Sequence, residues 1–99
     1  MDFRLIWTEG ASSDLRSIIE YIRRDSPQAA DRFGEELVKQ TELLRSFPLI
    51  GPTYRRRKRG VIREIVYGNY RIFYQVDKSA KQVAILSVWH AAREEPADL

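Results

Sequence analysis

Gly68-Asn69 constrains this chain more than any other feature, because only two residues separate the strand-like runs Val61–Tyr67 and Tyr70–Asp77. β-Branched and aromatic residues dominate both runs, and glycine at the first central position suits a two-residue hairpin loop. So short a loop fixes the register. Tyr67 must face Tyr70, Val66 must face Arg71, Ile65 must face Ile72 and Glu64 must face Phe73. One face then carries Ile65, Tyr70, Ile72, Tyr74 and Val76, and reads as the core side. The other carries Glu64, Arg71, Phe73, Gln75 and Asp77, so Arg71 is expected on an open face.

A third strand is expected over Gln82–His90, after a looser turn at Asp77–Lys81. Its near-continuous apolar run, Val83 to Trp89, suits an inner strand covered on both faces and delivers His90 and Arg93 to the end of the sheet. Upstream, Phe3–Trp7 reads as a short first strand, and Thr8 is placed to cap a helix whose apolar stripe is Ala11, Leu15, Ile18, Ile19 and Ile22. Ser26-Pro27 then ends one helix and starts another, since proline is well suited to the first helical position. Ala30, Phe33, Leu37, Thr41 and Leu44 form the second stripe, which stops near Phe47-Pro48. Pro48, Gly51 and Pro52 punctuate the next stretch, so residues 48–59 read as a surface loop. The order is βααβββ: a single α+β domain over residues 1–99, with an antiparallel helix pair on one face of a largely antiparallel sheet.

Ninety-nine residues at 43% hydrophobic content fill one core without staples. The chain has no cysteine and one histidine, which excludes disulfides, thiolate chemistry and cysteine-based metal sites and argues against any metal or cofactor. No charged-then-apolar leader is visible, and no apolar run approaches the roughly 20 residues needed to span a bilayer. A soluble, cytoplasmic protein with no membrane partner is the expectation. Charge is uneven: residues 1–50 hold seven Lys/Arg against nine Asp/Glu, whereas residues 51–99 hold ten against five. The positive potential of the second half suits a polyanion or an acidic protein.

That potential concentrates in Arg55, Arg56, Arg57, Lys58 and Arg59, with Arg63, Arg71 and Arg93 on or beside the strands. A guanidinium on a rigid strand loses less entropy on meeting an anion than one on a tail, so these eight are the candidate target-binding residues. Each has a structural alternative. A basic run is ordinarily a solvated loop. Arg71 can pair with Glu64 on its own face as an exposed ion pair, and the aliphatic stem of Arg63 can cover Tyr74. His90, the chain's one histidine, is by residue type the natural acid/base candidate, yet a lone histidine ending a strand commonly caps a neighbouring carbonyl. Tyr67, Tyr70 and Tyr74 are β-formers first and base-stacking groups second. The acidic, proline-containing segment 93–99 is expected to fray.

The arrangement resembles the RelE/ParE superfamily of type II toxin–antitoxin toxins. The residues that carry the likeness are Trp7-Thr8-Glu9-Gly10-Ala11 with Asp14-Leu15 and Ile18; Tyr21-Ile22 with Ser26-Pro27-Gln28-Ala29-Ala30; Phe47-Pro48 with Gly51; Arg63-Glu64 with Tyr70 to Val76; and Val88-Trp89-His90-Ala91-Ala92-Arg93. The resemblance implies a toxin neutralised by a cognate antitoxin in a hetero-oligomer. Its target would be DNA gyrase in the ParE branch, or the ribosome and its messenger RNA in the RelE branch. In the RelE case Arg71 would bind phosphate and His90 would act as acid or base in a metal-free endoribonuclease. A general base is harder to find, because Pro48 to Pro52 offers none and Lys58 serves only if its neighbours depress its pKa. The long helix pair and the Phe47-Pro48 to Gly51 turn look more like ParE, so the gyrase-directed reading is preferred. A third reading is an inactive member that binds its antitoxin and acts in autoregulation.

Overall fold

A computed structural model of the chain describes residues 2–92 together with Leu99. Strand β1 (Arg4–Trp7) leads into helices α1 (Glu9–Asp25) and α2 (Pro27–Glu42), the latter tightening into a 3₁₀ turn at Leu43–Arg45. Strands β2 (Thr53–Arg57), β3 (Gly60–Tyr67), β4 (Tyr70–Asp77) and β5 (Gln82–His90) complete the chain. They form one sheet with β1 in the order β1-β5-β4-β3-β2, antiparallel except for the β1–β5 pair. β5 is an inner strand, as its apolar run requires.

Local chemistry sets the helix boundaries. Thr8 accepts from the Ala11 N–H at 3.1 Å and Ser26 accepts from the Ala29 N–H at 3.1 Å, each satisfying a donor that the first helical turn leaves open. Pro27 occupies the first turn of α2. The hairpin register is the one the two-residue turn demands, from Tyr67 opposite Tyr70 to Glu64 opposite Phe73. Gly68 supplies the turn's positive φ of 58°.

The helix pair covers the face bearing Ile72, Tyr74, Val83, Ile85 and Val88, which pack with Ala11, Leu37 and Leu44. Each fully buried large apolar side chain there contributes roughly 1.5–3 kcal/mol. Tyr67 and Tyr70 belong to this side too, with ring centroids 5.9 and 5.0 Å from that of Phe33 in α2. These tyrosines are therefore packing groups, and Tyr74, fully buried, accepts from the Gly51 N–H at 2.9 Å. Burial pushes the Tyr74 phenol above its ordinary value, against smaller opposing pulls from the Gly51 N–H and the Arg63 charge. A group raised in this way keeps its full stabilising contribution below its unfolded value, roughly pH 10, and loses it as pH climbs through the folded value. Thermal unfolding followed from pH 8 to 11 should show a steep alkaline fall in Tm for the native chain. Tyr74→Phe should start lower, because Gly51 loses its acceptor, and fall less steeply.

Two expectations need correction. Residues 48–59 are not all loop, since residues 53–57 form the edge strand β2, with Arg55 opposite Ile62 and Arg57 opposite Gly60. Cross-strand pairing with β3 outweighs the weak strand propensity of an arginine run, and charge is well tolerated on an edge. The face opposite the helices is also not open. Ile62, Phe73 and Leu99 are buried there, flanked by Tyr54, Leu86 and Trp89. Residues 93–98 of the segment expected to fray lie outside the described residues, but Leu99 is seated on this face with 5% exposure.

One irregularity decides how the chain's last strand presents its residues. Phe73 pairs with Ser87 but Tyr74 pairs with Ile85, so Leu86 is an extra residue in β5. Such a bulge reverses the alternation beyond it. Val83, Ile85 and then Val88 face the helices, while Leu86 and Trp89 face away. α1 holds the bulge in place. Thr8 Oγ1 donates to the Ile85 carbonyl at 2.8 Å, and Asp14 Oδ2 accepts from Ser87 Oγ at 2.9 Å and from the Val88 N–H at 3.0 Å. Asp14→Ala leaves that amide without its carboxylate, at a cost of about 2 kcal/mol. Urea unfolding should show the lowered midpoint, and Asp14→Asn, which keeps one acceptor, should recover part of it.

Candidate functional site

Arg71 projects from β4 on the face away from the helices. Its Nε donates to Glu64 Oε2 at 2.6 Å, and its guanidinium carbon lies 5.0 Å from the Phe73 ring centroid and 5.3 Å from that of Tyr54. The two charged side chains retain only 18% and 22% exposure, so the pair is stiffer and less screened than the exposed contact expected from sequence. Arg71 is thus a pre-oriented cation with its charge largely balanced. The face draws its net positive potential from elsewhere.

That source is the β2–β3 hairpin. Arg55, Arg56, Arg57, Lys58 and Arg59 are all exposed, and Gln75 Nε2 donates to the Arg59 carbonyl at 2.8 Å, tying the turn to β4. Pairing with β3 holds Arg55, Arg56 and Arg57 in an ordered strand, and Lys58 and Arg59 form the turn at its end. Arg55 lies on the same side as Ile62, with its guanidinium carbon 5.3 Å from the Tyr54 centroid and its Nη1 donating to the Leu99 carbonyl oxygen. Tyr54 in turn packs on Phe73 at 4.6 Å between centroids. The outer face is therefore an aromatic floor of Tyr54, Phe73 and Trp89, with Arg55 and Arg71 over it and the cationic hairpin at its rim. The Trp89 Nε1–H is buried and has no hydrogen-bond acceptor among the described residues.

Arg63 stands elsewhere. It pairs with Tyr74 across the strands and its Nη1 donates to the Gly51 carbonyl at 2.9 Å, so it anchors the loop before β2. Its position favours the structural role. Arg93 lies outside the described residues.

His90 is cut off from Arg71 by the sheet itself. It pairs with Tyr70, edge to face at 5.1 Å, on the helix side, whereas Arg71 pairs with Trp89 on the outer side. Its Nδ1 accepts from the Ala92 N–H at 3.1 Å, the reverse of the carbonyl cap expected from sequence. A groove of about 820 Å³ opens beside it, lined by Asp14, Ser17, Tyr21, Arg24 and Tyr70 among others. Asp14 is already committed to the bulge in β5. Arg71 and His90 thus project from opposite faces of the sheet, and Lys58 sits with the hairpin rather than with either.

Among the described residues no cluster of His, Cys, Asp or Glu is suited to hold a metal ion, and no helix is long and apolar enough to cross a membrane. Sequence reasoning missed Tyr54, Trp89 and Leu99. An aromatic beside an arginine run was the available signal for Tyr54, but reading residues 48–59 as loop concealed the face it would join.

Comparison with known proteins places these features in a family context. Residues 5–95 match the model for the ParE toxin of the type II toxin–antitoxin system parDE. No curated protein sequence shows a significant match. The fold is similar to that in the toxin–antitoxin complex RelBE2 from Mycobacterium tuberculosis, with 25% identity, TM-score 0.69, and coverage of 91% of this chain and 99% of that one. It is also similar to a chain of the chromosomal ParDE system from P. aeruginosa, with 22% identity, TM-score 0.70, and coverage of 89% and 95%. The archaeal RelE–RelB complex from Pyrococcus horikoshii OT3 gives 17% identity, TM-score 0.69, and coverage of 95% and 100%.

Proposed function

Because the chain belongs to the ParE toxin family of type II toxin–antitoxin systems, we propose that it is a toxin that inhibits DNA gyrase by binding, and that a cognate antitoxin neutralises it by covering the same outer face. The observation that carries this reading is the division of Arg71 from His90 by the sheet. RNA cleavage without a metal needs a base, an acid and cations around a single phosphate. Here the pair that would supply two of these roles lies on opposite faces, and Arg71 is already engaged by Glu64. A binding toxin needs no such assembly. It needs a stiff, charged surface, and the aromatic floor with its cationic rim fits that requirement. The rim suits the anionic surface of a gyrase–DNA complex, where long-range attraction raises the rate of encounter. A positive ridge equally suits an acidic antitoxin segment, so one surface serves both toxicity and its control.

Two assays with the same purified protein test this. It is added to gyrase supercoiling reactions and, separately, to ribosomes translating a defined message. The expected outcome is loss of supercoiling with the message intact, and His90→Ala should inhibit gyrase as well as the native chain does. Codon-positioned cuts that disappear in His90→Ala would instead establish the nuclease reading. Inactivity in both assays, with growth unaffected on expression, would leave only antitoxin binding and autoregulation.

A further inference from the structure

Leu99 is held on the outer face by two kinds of contact at once. Its side chain is buried with Ile62 and Phe73, beside Tyr54, Leu86 and Trp89, and its carbonyl oxygen accepts from Arg55. The seat therefore reads both an apolar side chain and an adjacent oxygen. It also holds a buried indole N–H, that of Trp89, with no acceptor among the described residues. The last strand, β5, ends at His90 on the opposite side of the sheet, so the seat is filled by a residue that belongs to none of the sheet's strands.

We propose that this seat is a peptide-recognition site, that Leu99 is its internal occupant, and that a partner segment pairing an apolar residue with a carboxylate takes its place. The proposal rests on the outer face being the working surface and adds the chemistry of what docks there. Cationic and aromatic groups on one face favour an anionic apolar ligand over a purely acidic one. The carboxylate would meet Arg55 where the Leu99 main-chain oxygen now does, while the apolar group would reproduce the burial of Leu99. A tethered occupant competes at high effective concentration, so it lowers the apparent affinity for any incoming peptide by the fraction of time the seat stands open. Leu99 thereby sets a threshold that only a well-matched segment crosses.

The probe is a short synthetic acidic peptide ending in leucine, with a control ending in serine, read by fluorescence anisotropy. Leu99→Ser should bind the leucine peptide about tenfold more tightly than the native chain, which corresponds to a seat open roughly a tenth of the time. Leu99→Ser combined with Arg55→Gln should lose that gain, and the serine peptide should bind poorly throughout. Equal affinity in native and Leu99→Ser chains would overturn the proposal. If Leu99→Ser fails to fold, amide NMR of the native chain decides: displacement of the Leu99 signal by the peptide supports the seat, and an unmoved signal overturns it. Gyrase inhibition measured in parallel keeps the two readings apart. Gyrase inhibition without peptide binding removes the seat alone, and peptide binding without gyrase inhibition removes the proposed target alone.

Discussion

Gly51→Ala should lower the stability of this protein by about 3 kcal/mol and its Tm by roughly 12–24 °C. The space beside the Gly51 Cα is already filled. A Cβ there would lie 2.5 Å from the Glu64 carbonyl oxygen and 2.7 Å from the Tyr74 hydroxyl. The first of these atoms is backbone in the middle of β3 and cannot swing aside. Gly51 is also pinned on both sides, since its N–H donates to Tyr74 at 2.9 Å and its carbonyl accepts from Arg63 at 2.9 Å. Moving the loop to relieve the clash therefore breaks two partly buried hydrogen bonds. Gly68→Ala makes the informative contrast, because nothing lies within 4 Å of its added methyl and only the positive φ is strained. About 1 kcal/mol is expected there. Thermal denaturation of both variants checks the difference. A Gly51→Ala protein within 1 kcal/mol of the native chain would mean that the loop is not fixed as described.

The second large effect concerns function. Replacing Arg56, Arg57, Lys58 and Arg59 together with glutamine should weaken gyrase inhibition by roughly 30-fold or more, if each rim cation contributes even half a kcal/mol or so to encounter and binding. Arg55 is left in place because it contacts Tyr54 and Leu99. The four substituted residues are exposed, so stability should change by only a few tenths of a kcal/mol per site. Raised salt should weaken the native chain's inhibition and leave the variant's residual activity nearly flat. Cations on an edge strand also discourage edge-to-edge association. If that were their only role, the variant would sediment as aggregates while its monomers inhibited normally. Sedimentation run beside the supercoiling titration distinguishes these outcomes.

How far the sequence discloses this molecule depends on where its information is local. The Gly68-Asn69 turn and the alternation around it are local, so the register of β3 and β4 could be read residue by residue. The same holds for the caps at Thr8 and Ser26. β2 was hidden because its strand character comes from β3, not from its own arginines, and Pro48, Gly51 and Pro52 signal a break just before it. The consequences for the site were larger. Without β2 there was no reason to place Tyr54 over Phe73, so the outer face looked open and Arg71 looked exposed. The bulge at Leu86 was hidden for another reason. Its cause lies in Asp14 and Thr8, more than 70 residues upstream. Counting alternation straight along β5 from Ile85 puts His90 on the side of Arg71, and only the extra residue separates them.

The outer sheet face, with its cationic hairpin, is the surface proposed to engage gyrase. Hydrogen exchange of the chain with and without gyrase, read by mass spectrometry over peptides covering the described residues, tests it most directly. The expected footprint is slowed exchange across residues 53–63 and the β4 segment around Arg71 to Gln75, with α1 and α2 unchanged. Protection confined to the helices, or no protection at saturating gyrase, would contradict it.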